Sequence, residues 1–167
     1  PIISEDKSFV GKSALPNLTG GLSTNFNYKR WTMSAYFSGQ FGHYVYNNTA
    51  NAFFTAGAFN TTRNVLPETL TSGEALGASA AASTRFLEKG DFVRLQNLVF
   101  SYSFSNQTLS KLSNGYIKNA RVFAQGQNLF MLTSYSGIDP DNASQSGIDN
   151  AVSPTLRILS MGLSVGF

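Results

Sequence analysis

The final run of the chain, Arg157 to Phe167, alternates so strictly that it reads as a β-strand with two unlike faces. One face carries Leu159, Met161, Leu163, Val165 and Phe167. The other carries Ser160, Gly162, Ser164 and Gly166, with Ile158 the one large apolar exception. A strand of a soluble sandwich can alternate in this way, but it rarely ends a chain on an aromatic residue with no polar tail. A strand with lipid on one side and water on the other needs this pattern.

Four more segments follow the same rule. Leu18 to Tyr28 sets Leu18, Gly20, Leu22, Thr24, Phe26 and Tyr28 against Thr19, Gly21, Ser23, Asn25 and Asn27. Arg30 to Phe41 sets Trp31, Met33, Ala35, Phe37, Gly39 and Phe41 against Thr32, Ser34, Tyr36, Ser38 and Gln40, so a very short turn falls at Tyr28-Lys29-Arg30. In Asp91 to Ser105, Leu98, Phe100, Tyr102 and Phe104 oppose Val99, Ser101, Ser103 and Ser105. Arg94 shares the apolar phase. A strand tilted by about 45° climbs roughly 2.3 Å per residue along the membrane normal. Arg94 then lies about 23 Å from Phe104, near the edge of a roughly 25 Å apolar band, where an arginine is tolerated. Ile117 to Phe130 is the least regular. Val122 and Ala124 are assigned to lipid because Arg121, Gln125 and Gln127 suit a wet lumen, and a bulge would bring Leu129 into phase.

Composition agrees with this reading. Charged residues make up 13% of the chain, against roughly 25% in an average soluble chain. Ser, Thr, Asn, Gly and aromatics (14 Phe, 7 Tyr and 1 Trp) fill the difference. The net charge of +3 is scattered, with no block of Lys and Arg, so no nucleic-acid partner is expected. Cysteine is absent, which excludes disulfides and Cys-based zinc sites. No apolar run reaches the roughly 18 residues of a membrane helix, a fact that leaves membrane strands open. An exported protein that starts at Pro1 without a signal peptide is expected to carry that signal upstream.

The expected fold is therefore all-β: an antiparallel transmembrane β-barrel segment of about five strands, at 18–28, 30–41, 91–105, 117–130 and 156–167. Residues 42–90 and 131–153 read as long extracellular loops, since short turns face the periplasm and long ones the outside. Five strands cannot close a barrel. An open sheet in lipid leaves unpaired backbone groups costing several kcal/mol each, so a larger wall is required.

Several runs resemble the SusC/RagA-type TonB-dependent transporters of Bacteroidetes. They are Phe86-Leu87-Glu88-Lys89-Gly90-Asp91-Phe92-Val93-Arg94-Leu95-Gln96-Asn97-Leu98, then Arg121-Val122-Phe123-Ala124-Gln125-Gly126-Gln127-Asn128-Leu129-Phe130, then Tyr135-Ser136-Gly137-Ile138-Asp139-Pro140-Asp141. Leu15 to Leu22 with Tyr28-Lys29 adds a fourth, and roughly Asn48 to Ala82 lies outside the resemblance. The family implies a barrel of about 22 strands in the cell outer membrane, with a plug domain that is absent from this sequence. It implies import of oligosaccharides or peptides with a SusD-like surface lipoprotein as lid, energised by the TonB complex through an N-terminal part. The ending Leu159, Met161, Leu163, Val165, Phe167 resembles the signal read by the outer-membrane barrel assembly machinery. A passive porin or other outer-membrane barrel is the alternative reading, and a soluble β-sandwich binding module a less favoured one.

No catalytic constellation is evident, and no enzyme is expected. His43 is the only histidine, too few for a zinc site without cysteine, and no Gly-x-Ser-x-Gly elbow is present. Asp139, Asp141 and Asp149 with Asn142 and Asn150 read first as turn formers around Asp-Pro, with a calcium or ligand contact as the alternative. The loop residues Tyr44, Tyr46, Tyr135, Asp139 and Asp141 are the candidate substrate contacts. For the tyrosines, interface or loop packing is the preferred account and a substrate contact the second. Gly73 to Thr84, rich in Ala, Ser and Gly, reads as a spacer.

Overall fold

A computed structural model describes Glu5 and residues 7–61, 63–73 and 81–167. In chain order the strands are β1 (Leu18–Tyr28), β2 (Trp31–Phe41), β3 (Tyr44–Asn47), β4 (Leu87–Lys89), β5 (Phe92–Ser103), β6 (Asn119–Thr133), β7 (Ile148–Asp149) and β8 (Ile158–Gly166). The helices are α1 (Asn48–Phe53), α2 (Pro67–Thr71) and α3 (Asn106–Ser113). The chain divides into two compact units. One holds Thr19–Gly39, Phe92–Leu132 and Thr155–Phe167. The other holds the described residues up to Leu18, Gln40–Asp91 and Thr133–Pro154.

The first unit is built on a five-stranded sheet in the order β1-β2-β5-β6-β8. The β1–β2 turn is closed by Lys29 at φ +55°, a left-handed residue of the kind tight hairpins require. Ser103 N–H donates to Arg30 O (2.9 Å), Phe104 N–H to Ala120 O (2.9 Å) and Lys118 N–H to Gly166 O (2.8 Å). Each bond joins the end of one strand to the start of its neighbour, so the sheet is antiparallel. Strands β1 and β8 are its two edges.

The register of β6 on β8 decides which residues share a face, because directly opposed residues point the same way. Ala120, Val122, Ala124 and Gly126 oppose Val165, Leu163, Met161 and Leu159. Arg121, Phe123, Gln125 and Gln127 oppose Ser164, Gly162, Ser160 and Ile158. Val122 and Ala124 therefore share the apolar face of the last strand, as their polar neighbours suggested. On the other face Gln125 Nε2 donates to Asn97 Oδ1 (2.8 Å) and Ser34 Oγ to Asn25 Oδ1 (2.6 Å). There the Phe123 ring covers Gly162, where a Cβ would collide with it. On the apolar face Trp31 stacks on Phe100 (4.8 Å) and leans on Tyr102 (4.6 Å), which meets Phe104 edge-on (5.2 Å).

Asn128 supplies the expected bulge. It adopts φ +52° inside β6, a conformation Asn tolerates better than most residues. The Leu129 side chain lies where a Cβ on Gly126 would point. Two residues three apart thus share a face, which requires one extra residue in the strand.

Three expectations change. Apart from those of β1, strand bounds move by up to three residues, and Ser105 caps α3 instead of ending a strand: its Oγ accepts from Thr108 N–H at 3.0 Å. Arg94 is 4% exposed, with its guanidinium over the Phe92 ring at 5.5 Å. It packs inside the protein instead of reaching an exposed interface. The stretch 42–90, read as a loop, contains β3, α1, α2 and β4. Most of the Ala/Ser/Gly spacer, 74–80, lies outside the described residues.

Candidate functional site

The second unit is organised by a three-stranded sheet in the order β4-β3-β7. Central β3 alternates half-buried and buried residues, with Val45 at 1% exposure in the core. Val45 opposes Glu88 on β4, and Asn47 opposes Asp149 on β7. Asn47 and Glu88 are diagonal neighbours on the same face. Two carboxylates therefore flank one buried amide.

Each carboxylate captures one residue of the Tyr135-Ser136-Gly137 run. Glu88 accepts from Ser136 N–H (2.7 Å), Ser136 Oγ (2.7 Å) and Asn47 Nδ2 (3.1 Å). Asn47 Oδ1 meanwhile caps α1 by accepting from Ala50 N–H at 2.8 Å. Asp149 accepts from the Tyr135 hydroxyl (2.7 Å) and Ala151 N–H (3.0 Å). Gly137 is required because a Cβ there would run into the Tyr135 ring. The order Tyr-Ser-Gly is thus explained by three neighbouring contacts. Gly90 has a similar cause: its missing Cβ leaves room for the imidazole of His43, which is 3% exposed.

Burial raises the Tyr135 pKa above its ordinary value, and the hydrogen bond to Asp149 and the charges of Asp149 and Glu88 push the same way. A tyrosine whose folded pKa is raised adds stability that is full below its unfolded value, about 10, and is lost as pH rises through the folded value. The Tyr135–Asp149 contact should therefore persist through the neutral and mildly alkaline range. Difference spectra between the parent and Tyr135→Phe should show one tyrosine ionising well above pH ~10. A tyrosine titrating at its ordinary value in that difference would contradict the contact.

Beside this network lies a cleft of about 730 Å³. Phe53, Phe86, Ile138 and Val152 form much of its wall, with Glu68, Arg85, Glu88 and Asp149 supplying polar groups. Arg85 lies over the Phe54 ring at 4.5 Å, and Phe54 meets Phe86 edge-on at 5.5 Å. An apolar cleft with a few charged groups is suited to binding.

None of the five sequence candidates lines this cleft. Tyr135 and Asp139 are buried, at 6% exposure each. Asp139 Oδ1 accepts from Asp141 N–H (3.1 Å) and so caps the turn at Pro140–Asn142. Asp141 accepts from Gln40 Nε2 (3.2 Å). Tyr44 is half-buried with the Lys12 ammonium 4.5 Å above its ring, and Tyr46 lines a separate cavity of about 520 Å³. The aspartates thus serve separate contacts, and among the described residues no three His, Asp or Glu side chains converge on a metal-sized site. The cleft residues Phe53, Glu68 and Arg85 were missed. Phe86, Glu88, Ser136, Gly137 and Ile138 fell within two quoted motifs, but nothing in their spacing marks a cavity.

The sheet and the motif-bearing unit both have counterparts in known proteins. The chain is 32% identical over 99% of its length to TonB-dependent receptor P26 of Formosa agariphila, of which it covers 18%. It is 31% identical over 99% of its length to TonB-dependent receptor SusC of Bacteroides thetaiotaomicron, covering 16% of that protein. The chain belongs to the SusC/RagA-type TonB-dependent transporters. It spans less than a fifth of the curated relatives it matches. The whole chain also superposes on 19% of a chain of the RagAB peptide importer, with a TM-score of 0.83 in the 'closed-closed' state and 0.80 in the 'open-open' state, each at 23% identity. That likeness speaks for the fold. No protein-family model matches the chain. The SusC/RagA-type proteins are transporters and not enzymes.

Proposed function

We propose that this SusC/RagA-type segment forms part of the wall and outward-facing loops of an outer-membrane importer. The barrel has about 22 strands, works with a SusD-like surface lipoprotein and the TonB complex, and carries oligosaccharides or peptides. One observation carries most of the reading: the β6–β8 register aligns Val122 and Ala124 with Leu163 and Met161 on one face, and Arg121 and Gln125 with Ser164 and Ser160 on the other. A soluble sandwich also has an apolar face, but it buries that face against a second layer. Here Leu159, Met161 and Leu163 are 80%, 87% and 65% exposed, as lipid-facing residues of a wall would be. The edge strands β1 and β8 then pair with the remaining wall, which removes the free backbone groups that lipid does not tolerate. Short turns such as Lys29-Arg30 face the periplasm in barrels of this kind, and long loops face outward.

Affinity purification of the complete transporter from detergent-solubilised outer membranes should bring down a surface lipoprotein, and uptake should cease without TonB. A transporter that purifies alone and works without TonB would favour the passive porin. The last strand is also read as the assembly signal. Deleting Phe167 should lower assembled protein in the membrane more than it alters cargo affinity, as quantitative outer-membrane blots and binding to the remaining protein would show. Normal membrane levels after the deletion would remove Phe167 from that role.

A further inference from the structure

The charges of the chain are segregated by unit. Lys29, Arg30, Arg94, Lys111, Lys118, Arg121 and Arg157 belong to the sheet unit, which contains no Asp or Glu; the 7 acidic residues among the described ones fall in the other. Four of these cations gather at one end of the sheet. The row of backbone bonds from Arg30 through Ser103, Phe104 and Ala120 to Lys118 and Gly166 runs across that end. Lys29 and Arg30 stand in its hairpin turn, Lys111 in the last turn of α3 and Lys118 just before β6. All four are exposed.

The same end is apolar. The Trp31–Phe100–Tyr102–Phe104 cluster lies beside it, and the Lys29 ammonium rests 5.4 Å from the Tyr28 ring. Leu109 of α3 is buried, while Leu112 and Tyr116 are 77% and 78% exposed. Bases alone would suit any polyanion. Bases interleaved with exposed aromatic and aliphatic side chains suit the headgroup layer of a bilayer, where aromatic rings and basic side chains both anchor.

We propose that the end of the sheet bearing Lys29, Arg30, Lys111 and Lys118 docks on anionic phospholipid headgroups, binding their phosphodiester groups. The proposal rests on the membrane placement of the sheet argued above. The leaflet concerned is the one at the short turns, which is the periplasmic leaflet in such barrels. The unit contains no Asp or Glu side chain to offset the attraction. Each basic side chain near an anionic surface favours binding about fivefold, within a Debye length of about 8–10 Å.

The test uses the complete transporter reconstituted in vesicles of phosphatidylethanolamine with a minor fraction of phosphatidylglycerol, with bound lipid counted by native mass spectrometry. Phosphatidylglycerol should be enriched about fivefold or more over the bulk membrane. The combined Lys29→Gln, Arg30→Gln, Lys111→Gln, Lys118→Gln variant should lose that enrichment. If this variant fails to assemble, Lys111→Gln with Lys118→Gln, both exposed, should lower it severalfold. Arg157→Gln, at the opposite end of the sheet, should leave it intact. Insertion with no headgroup preference, or a preference untouched by the four substitutions, overturns the proposal and leaves the wall reading standing. Enrichment confined to added lipopolysaccharide and lost in Arg157→Gln would move the site to the other leaflet and also overturn it. A complete transporter that never enters the bilayer would fail the wall reading itself.

Discussion

Arginine in place of Met161 should destabilise the assembled barrel by about 2–4 kcal/mol, the cost of a basic side chain near the bilayer midplane on a lipid-facing position. Arginine in place of Ser160, the preceding residue, should leave assembly near the parent level. The contrast follows from register. Met161 opposes Ala124 on the apolar face, and Ser160 opposes Gln125 on the face where Gln125 bonds to Asn97. A strand's side chains alternate, so neighbouring substitutions sample two solvents. Snorkelling softens the penalty at Met161, but that position lies midway along β8, where the side chain has farthest to reach. The folded fraction in outer membranes, read by heat-modifiable mobility, measures both variants. Equal loss in the two, or greater loss at Ser160, would mean that the face assignment is inverted or that the sheet is not in lipid.

Glu88→Ala should release the Tyr135-Ser136-Gly137 segment from β4 at a local cost of about 3 kcal/mol. Hydrogen bonds to a charged acceptor are each worth about 1.5–3 kcal/mol and do not add fully when they share one group. Glu88 accepts three such bonds, two from Ser136 and one from Asn47. Asn47, 3% exposed, would lose one of its acceptors in a place water reaches poorly. Glu88→Gln should show an intermediate loss, because its amide nitrogen would face donors that now meet oxygen. Hydrogen exchange at the Ser136 amide reports the effect directly. The alanine variant should accelerate it by about two orders of magnitude, the factor that 3 kcal/mol implies at about 1.4 kcal/mol per tenfold, and unchanged exchange would show that Glu88 does not hold the segment. The Tyr135–Asp149 contact gives a second anchor, so the cleft wall should loosen without complete unfolding of the unit.

The sequence reading succeeded where side chains answer to a solvent. Leu159, Met161, Leu163 and Val165 alternate with Ser and Gly because one face requires apolar atoms and the other tolerates polar ones, and that demand is written residue by residue. The bulge was legible for the same reason, since Leu129 falls out of phase unless one residue is added, and Asn128 adds it. The family motifs were visible as strings, but their purpose was not. Glu88 and Ser136 are 48 residues apart in sequence, and no local pattern announces that one will accept the other's hydrogen bonds.

The candidate contacts show the opposite limit. Tyr135 and Asp139 were substrate contacts only on the second reading, after loop packing and an Asp-Pro turn, and both are buried as parts of hydrogen-bond networks. A polar side chain can be buried when its partner is in place, and the partner is supplied by the tertiary fold. Periodicity by itself therefore determined the five long strands, their two faces and the bulge, but not β3, β4 or β7. Only the tertiary structure decided that 42–90 folds around β3, which side chains line the cleft, and that four scattered cations share one end of the sheet. Alternation is imposed locally by the two faces of a strand, whereas a cavity or a charge cluster exists only after distant segments have been brought together.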